Sequence, residues 1–137
     1  MEPVLQSITV GIPVFLTHFM TAIAVLAGAM CIYIWITPHR EFALIKENNV
    51  AAAISLFAAF VGLSLPLSFC LAGSVNIYDI ALWGGFILLI QLITYRAVDL
   101  LLGGISRSIA DNKVAPVLLM AAAKLSIAML NAAAIAG

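Results

Sequence analysis

Charge is scarce in this chain. Six basic and six acidic residues make up 9% of its 137 positions, where a water-facing domain carries roughly a quarter. That shortage excludes a soluble domain. A net charge of zero gives no basic surface for nucleic acid and no polybasic patch for anionic lipid. Cysteine is rarer still: Cys31 and Cys70 fall toward opposite ends of different apolar stretches, which argues against an intrachain disulfide. His18 and His39 lie on opposite sides of the membrane in the threading below, so they share no metal or haem. A phosphate-cradling glycine loop, a two-histidine metal spacing and a serine elbow are all missing from the sequence. The expectation is therefore no enzyme, no cofactor and no metal.

What remains is apolar, 65% of the residues. Four stretches, Gly11–Ile36, Val50–Ala72, Ile77–Leu102 and Val114–Ala136, each exceed the roughly 20 residues needed to cross about 30 Å of hydrocarbon. Lipid offers the backbone no hydrogen-bond partners, so these spans are helices. Glu2, with no Lys or Arg before Gly11, is the wrong flank for a cleavable signal. The first stretch also exceeds a signal's apolar core of about 7–15 residues. It reads as a retained span.

Loop charge sets direction. Arg40 and Lys46 lie between the first two stretches, and Arg107 and Lys113 between the last two, with Arg96 just before them. The N-terminal tail, the Gly73–Asn76 connection and the C-terminus carry no Lys or Arg. The positive-inside rule puts both basic loops in the cytoplasm and both termini on the other side. Asn48 or Asn49 is placed to cap the second span and Asn112 the fourth, while Pro38 closes off the first. Pro66 sits inside the second span, where the missing N–H predicts a kink toward its outer end. The Arg40–Glu47 stretch, with Phe42 and Ile45 on one side, is either a short interfacial turn or a solvated loop.

A shift of 64 residues lays Ile45, Asn48, Val50, Ala51, Ala58 and Ala59 over Ile109, Asn112, Val114, Ala115, Ala122 and Ala123. The matches fall on the same loop-to-helix junction. They predict an all-α membrane protein of four transmembrane helices, a single domain built as two parallel-repeat hairpins over about 11–72 and 77–136.

At that junction the runs Ile36-Thr37-Pro38-His39-Arg40-Glu41 and Leu44-Ile45-Lys46-Glu47-Asn48-Asn49-Val50-Ala51-Ala52 become recognisable. With Leu65-Pro66-Leu67-Ser68, Asp79, Trp83-Gly84-Gly85, Gln91-Leu92 and Asn131-Ala132-Ala133, the chain resembles the YjfL-like inner-membrane proteins of the domain-of-unknown-function 350 family. The resemblance covers about residues 30–136. It implies a bacterial inner-membrane protein of four helices in two repeats, and no assigned activity. Lys124 departs from the family pattern, in which the surrounding stretch is small and apolar.

Polar residues inside the spans are the candidates for function. Lys124 lies about ten residues into the fourth span, near mid-membrane, where a charge costs about 2.5–3.5 kcal/mol on insertion scales. Ala121, Lys124, Ala128 and Asn131 share a face. On the third span Gly84, Leu88, Gln91, Tyr95 and Asp99 share another, with Gln91 at the depth of Lys124. Arg96 and Asp99 read as an interfacial ion pair, Asp79 as a first-turn cap, and His18 as a packed histidine between Thr17 and Thr21. His39, Arg40, Glu41, Lys46, Arg107 and Lys113 form cytoplasmic turns that a partner protein can read. Lys124 is open to two readings, a structural contact across helices or subunits, or a functional role. Small-residue faces and the missing catalytic groups favour a homo-oligomeric scaffold, or an accessory subunit of a membrane assembly, whose partners are lipid and other subunits. The alternative is a small ion or proton channel or transporter built on Lys124, Gln91 and Asn131.

Overall fold

The computed structural model describes residues 2–37, 40–74 and 76–137. Pro38 and His39, singled out above, lie outside them. The described chain is helical: α1 (Glu2–Ile36), α2 (Glu41–Lys46), α3 (Val50–Gly73), α4 (Ile77–Leu102), α5 (Ile105–Ala110) and α6 (Val114–Ala136). The four long helices are each long and apolar enough to cross a membrane. At 1.5 Å per residue, the 35 residues of α1 extend about 52 Å, well past a hydrocarbon layer of about 30 Å. The helix begins nine residues before the apolar stretch read from the sequence, and Pro3 is compatible with that start because a first-turn N–H has no helical partner to lose.

Helices α3 and α6 form the central pair, with α4 against both and α1 against α3 and α4. Their starts are laced together at one end. Asn49 caps α3, its side chain accepting from the Ala52 N–H at 2.8 Å, while its Nδ2 donates to the Ile109 carbonyl at the end of α5, also at 2.8 Å. Asn112 does not cap α6. Its backbone is left-handed, φ 55°, and its Oδ1 reaches across to accept from Ala51 N–H of α3 at 2.9 Å. The residue at the α6 cap is Lys113, which makes no side-chain cap bond and instead pairs with Asp111 at 3.6 Å on the surface.

The other end is simpler. Asn76 caps α4 through the N–H groups of Tyr78 and Asp79, so Asp79 is a first-turn acid and the cap sits three residues earlier. Helix α1 meets α4 so closely at Gly84 that a Cβ there would overlap Val25. Helix α3 runs unbroken through Pro66. Cys31 is exposed and Cys70 buried, and both are free thiols. Trp35 is exposed and Trp83 largely so, each outside the core.

Candidate functional site

Glu41 and Lys124 are the two charged side chains buried among the described residues. Lys124 is reached from both of the helices it lies between. Cβ atoms tilt toward a helix's N-terminus, and α6 starts at the end that holds α2 and α5, so the lysine climbs toward that end. Helix α1 runs toward the same end, so Tyr33 in its last turn leans back into the bundle. The two meet where Lys124 Nζ donates to Tyr33 Oη at 2.8 Å. The ammonium also lies 4.1 Å from the Tyr33 ring centre and 5.8 Å from that of Tyr95, whose ring stands edge-on to Tyr33 at 85°. Aromatic faces attract a cation most where water is excluded.

The chain of contacts continues past Tyr33. Its hydroxyl lies beside the Ser55 side chain on α3. Ser55 Oγ donates to Glu41 Oε1 on α2 at 2.7 Å. Tyr33, Ser55 and Glu41 are at most 1% exposed. Glu41 also lies within electrostatic reach of Lys124, Tyr33 and Tyr95. A lysine and a glutamate 83 positions apart (124 minus 41) thus each bond a hydroxyl, of Tyr33 and of Ser55, and the two hydroxyl residues are neighbours. A charge buried alone would cost several kcal/mol, so the Tyr33 hydroxyl, the two aromatic rings and the nearby Glu41 charge explain how the bundle keeps Lys124 without exposing it.

Gln91 braces the same level. Its Nε2 donates to the Gly62 carbonyl at 3.1 Å and to the Lys124 carbonyl at 3.2 Å. Pro66 has no N–H to offer the carbonyl four residues back, and that carbonyl belongs to Gly62. Gln91 fills the gap the proline leaves. It fits because residue 62 is glycine: a Cβ there would sit 3.0 Å from Gln91 Oε1.

The remaining sequence candidates are dispersed. Arg96 and Asp99 form no ion pair among the described residues. Asp99 Oδ1 instead accepts from Ile105 N–H at 2.8 Å, stabilising the start of α5 after the left-handed Gly103 and Gly104. Asn131 shares the Lys124 face, but its Nδ2 has no hydrogen-bond partner among the described residues. His18 is partly buried, bonds the Val14 carbonyl at 2.9 Å through Nδ1, and borders a groove between α1 and the end of α3. Arg40, Lys46, Arg107 and Lys113 are exposed, whereas Glu41 points inward and leaves the surface turn. Phe42 is exposed and Ile45 packs on the core, so the two do not share one face. Among the described residues no three His, Cys, Asp or Glu side chains gather to hold a metal ion.

Sequence reasoning missed Tyr33 and Ser55, and placed Glu41 in a loop. Tyr33 carries one local signal: a hydroxyl-bearing aromatic in the last turn of an otherwise apolar span.

A bundle of four helices, each long and apolar enough to cross a membrane, with two charged side chains buried inside it, is a polytopic membrane protein. The chain belongs to the Domain of Unknown Function (DUF350) family, which matches residues 7–135. It is similar to the UPF0719 inner membrane protein YjfL of Escherichia coli strain K12 and to its counterpart in Escherichia coli O157:H7. Each is 35% identical over 119 residues, covering 87% of this chain and 90% of the relative. Neither the family description nor these names carry an enzymatic activity. No solved structure gives a significant match.

Proposed function

We propose that this inner-membrane protein is non-enzymatic and works as a homo-oligomeric scaffold or as an accessory subunit of a membrane assembly. The α2 and α5 end faces the cytoplasm and both termini face the other side. The observation that carries this reading is that the buried polar side chains bond to groups of the same chain. Lys124, Tyr33, Ser55, Glu41 and the Gln91 amide N–H groups are engaged within one chain, which favours a packed bundle over a solute path.

Three features support it. An open cleft of about 610 Å3 between α2 and α5, lined by Arg40, Glu47, Arg107 and Asp111 among others, offers both signs of charge to a partner. The first half of α1 is exposed and apolar along its length, a surface for lipid or a second copy. A build from two like-facing hairpins is supported by register. The same 64 residues separate the first residues of α2 and α5, Glu41 and Ile105, those of α3 and α6, Val50 and Val114, and the left-handed Asn48 and Asn112.

Extraction of the full chain in native-lipid discs, followed by mass measurement and cross-linking, tests the reading. A defined oligomer, or a fixed stoichiometry with another membrane subunit, is expected. A strict monomer with no stoichiometric partner ends it. Arg40→Cys and Arg107→Cys should both react with an impermeant thiol reagent from the cytoplasmic side, and labelling from opposite sides overturns the threading.

A further inference from the structure

We propose that the cavity where the end of α3, the start of α4 and the end of α6 meet binds an organic ammonium group, held by the Asp79 carboxylate and the Trp83 ring. This does not rest on the assembly role, since one copy of the chain supplies every wall.

The cavity measures about 140 Å3 and lies at the end of the bundle opposite α2 and α5. Cys70, Gly73 and Ser74 line it from α3 and its C-cap, Asp79 and Trp83 from α4, and Ile135 from α6. Sites that enclose a whole small molecule run to about 300–1,000 Å3, so this one takes a single group. The 26 residues of α4 extend about 39 Å, past a hydrocarbon layer of about 30 Å, which leaves its first turn at the level of lipid headgroups.

The helix start does not use the Asp79 carboxylate. A first-turn acid ordinarily satisfies orphan backbone N–H groups, but Asn76 Oδ1 already accepts from the N–H groups of Tyr78 and Asp79. The carboxylate itself has no hydrogen bond and no ion pair among the described residues, and Asp79 is only partly buried. Trp83, four residues on, shares its face of α4 and is braced by Phe86, with ring centres 5.8 Å apart and planes tilted by 47°.

Charge selects the occupant. One carboxylate and no basic side chain line the cavity, and the Gly73–Asn76 connection and everything after Lys124 lack Lys and Arg, so an anion is repelled. Ser74 directs its hydroxyl proton to the Cys70 carbonyl at 2.6 Å, so toward a guest it can only accept. A calcium or magnesium ion is poorly served, because it needs about six oxygen ligands. An ammonium suits all three features: its N–H groups donate to the carboxylate and to Ser74 Oγ, and its charge is attracted to the indole face. Cys70 and Ile135 offer apolar contact to the carbon arm that carries it. Such a group occurs on phosphatidylethanolamine in the headgroup layer and on free amines in solution.

The test is fluorine NMR of the full chain labelled with 5-fluorotryptophan in detergent micelles. Its two signals come from Trp35 and Trp83, and Trp83→Phe assigns them. The probes are dioctanoylphosphatidylethanolamine, dioctanoylphosphatidylglycerol and ethanolamine. The Trp83 signal should shift saturably with an amine probe and not with phosphatidylglycerol, while exposed Trp35 at the other end stays still. Asp79→Asn keeps the side chain's shape and removes its charge, and should raise half-saturation by about tenfold or more. A response to phosphatidylethanolamine alone assigns the site to lipid, one to ethanolamine alone to a soluble amine, and either upholds the proposal. No saturable Trp83 response to either amine overturns it without any variant. So does an equal response to phosphatidylglycerol, or an Asp79→Asn protein that titrates like the wild type.

Discussion

Gln91 donates to the carbonyl of Gly62, which Pro66 leaves without its helical partner, and the two helices are pinned together at that point. A proline that should weaken α3 has become the site where α4 is attached. Buried helix prolines are tolerated in membranes when a neighbouring group takes the freed carbonyl.

Gln91→Leu should therefore destabilise the bundle by about 0.6–2 kcal/mol, the range of interhelical hydrogen bonds in lipid. In a Pro66→Ala background, where residue 66 regains an N–H for Gly62, the same substitution should cost less. Unfolding in mixed micelles, run as a four-protein cycle, measures both. Equal losses in the two backgrounds would detach Gln91 from Pro66.

Lys124 and Glu41 should behave as a unit. Lys124→Met keeps length and removes charge, leaving a buried carboxylate opposite an apolar side chain, a change of about 3–5 kcal/mol. Glu41→Gln strands the lysine in the same way. The double substitution removes both charges and should recover most of the membrane-inserted protein lost in either single one. Additive losses in quantitative immunoblots would mean that the two charges do not sense each other.

Gly84→Ala should cost about 1–3 kcal/mol, since the added Cβ meets Val25, a β-branched side chain with little freedom to turn away. Val25→Ala should rescue it. Thermal unfolding in detergent checks the pair, and a rescue that fails would mean that α1 and α4 do not touch there.

Asn112→Ala tests which helix the residue caps. Loss of a cap costs about 1 kcal/mol. Hydrogen exchange should quicken at the start of α3, around Ala51, and not at the start of α6. Quickening confined to Val114 and its neighbours would contradict the cross-helix bond.

Hydropathy made the four helices legible, and periodicity made their inward faces legible: Gly84, Leu88, Gln91 and Tyr95 on α4, and Ala121, Lys124 and Ala128 on α6, are all buried. Asn49 was readable as a cap because capping is local. The partner of Lys124 was not readable. Periodicity tells which side of a helix turns inward but not which helix waits there, and Tyr33 lies 91 residues away. Glu41 looked like a loop charge because nothing local reveals that α2 folds its first residue under the bundle. Asn112 and Asp99 sat where caps and ion pairs belong, yet each serves another element: Asn112 serves α3 across a left-handed turn, and Asp99 serves α5 after two glycines.

The crossed asparagines make each half of the chain unfinished without the other. Severed between Gly73 and Ile77, the first piece would lose the oxygen that holds the Ala51 amide, and the second would lose the amide that holds the last carbonyls of α5. Insertion of either piece alone would thus leave a frayed start of α3 in the one and a loosened end of α5 in the other, and co-expression of the two should be what heals them.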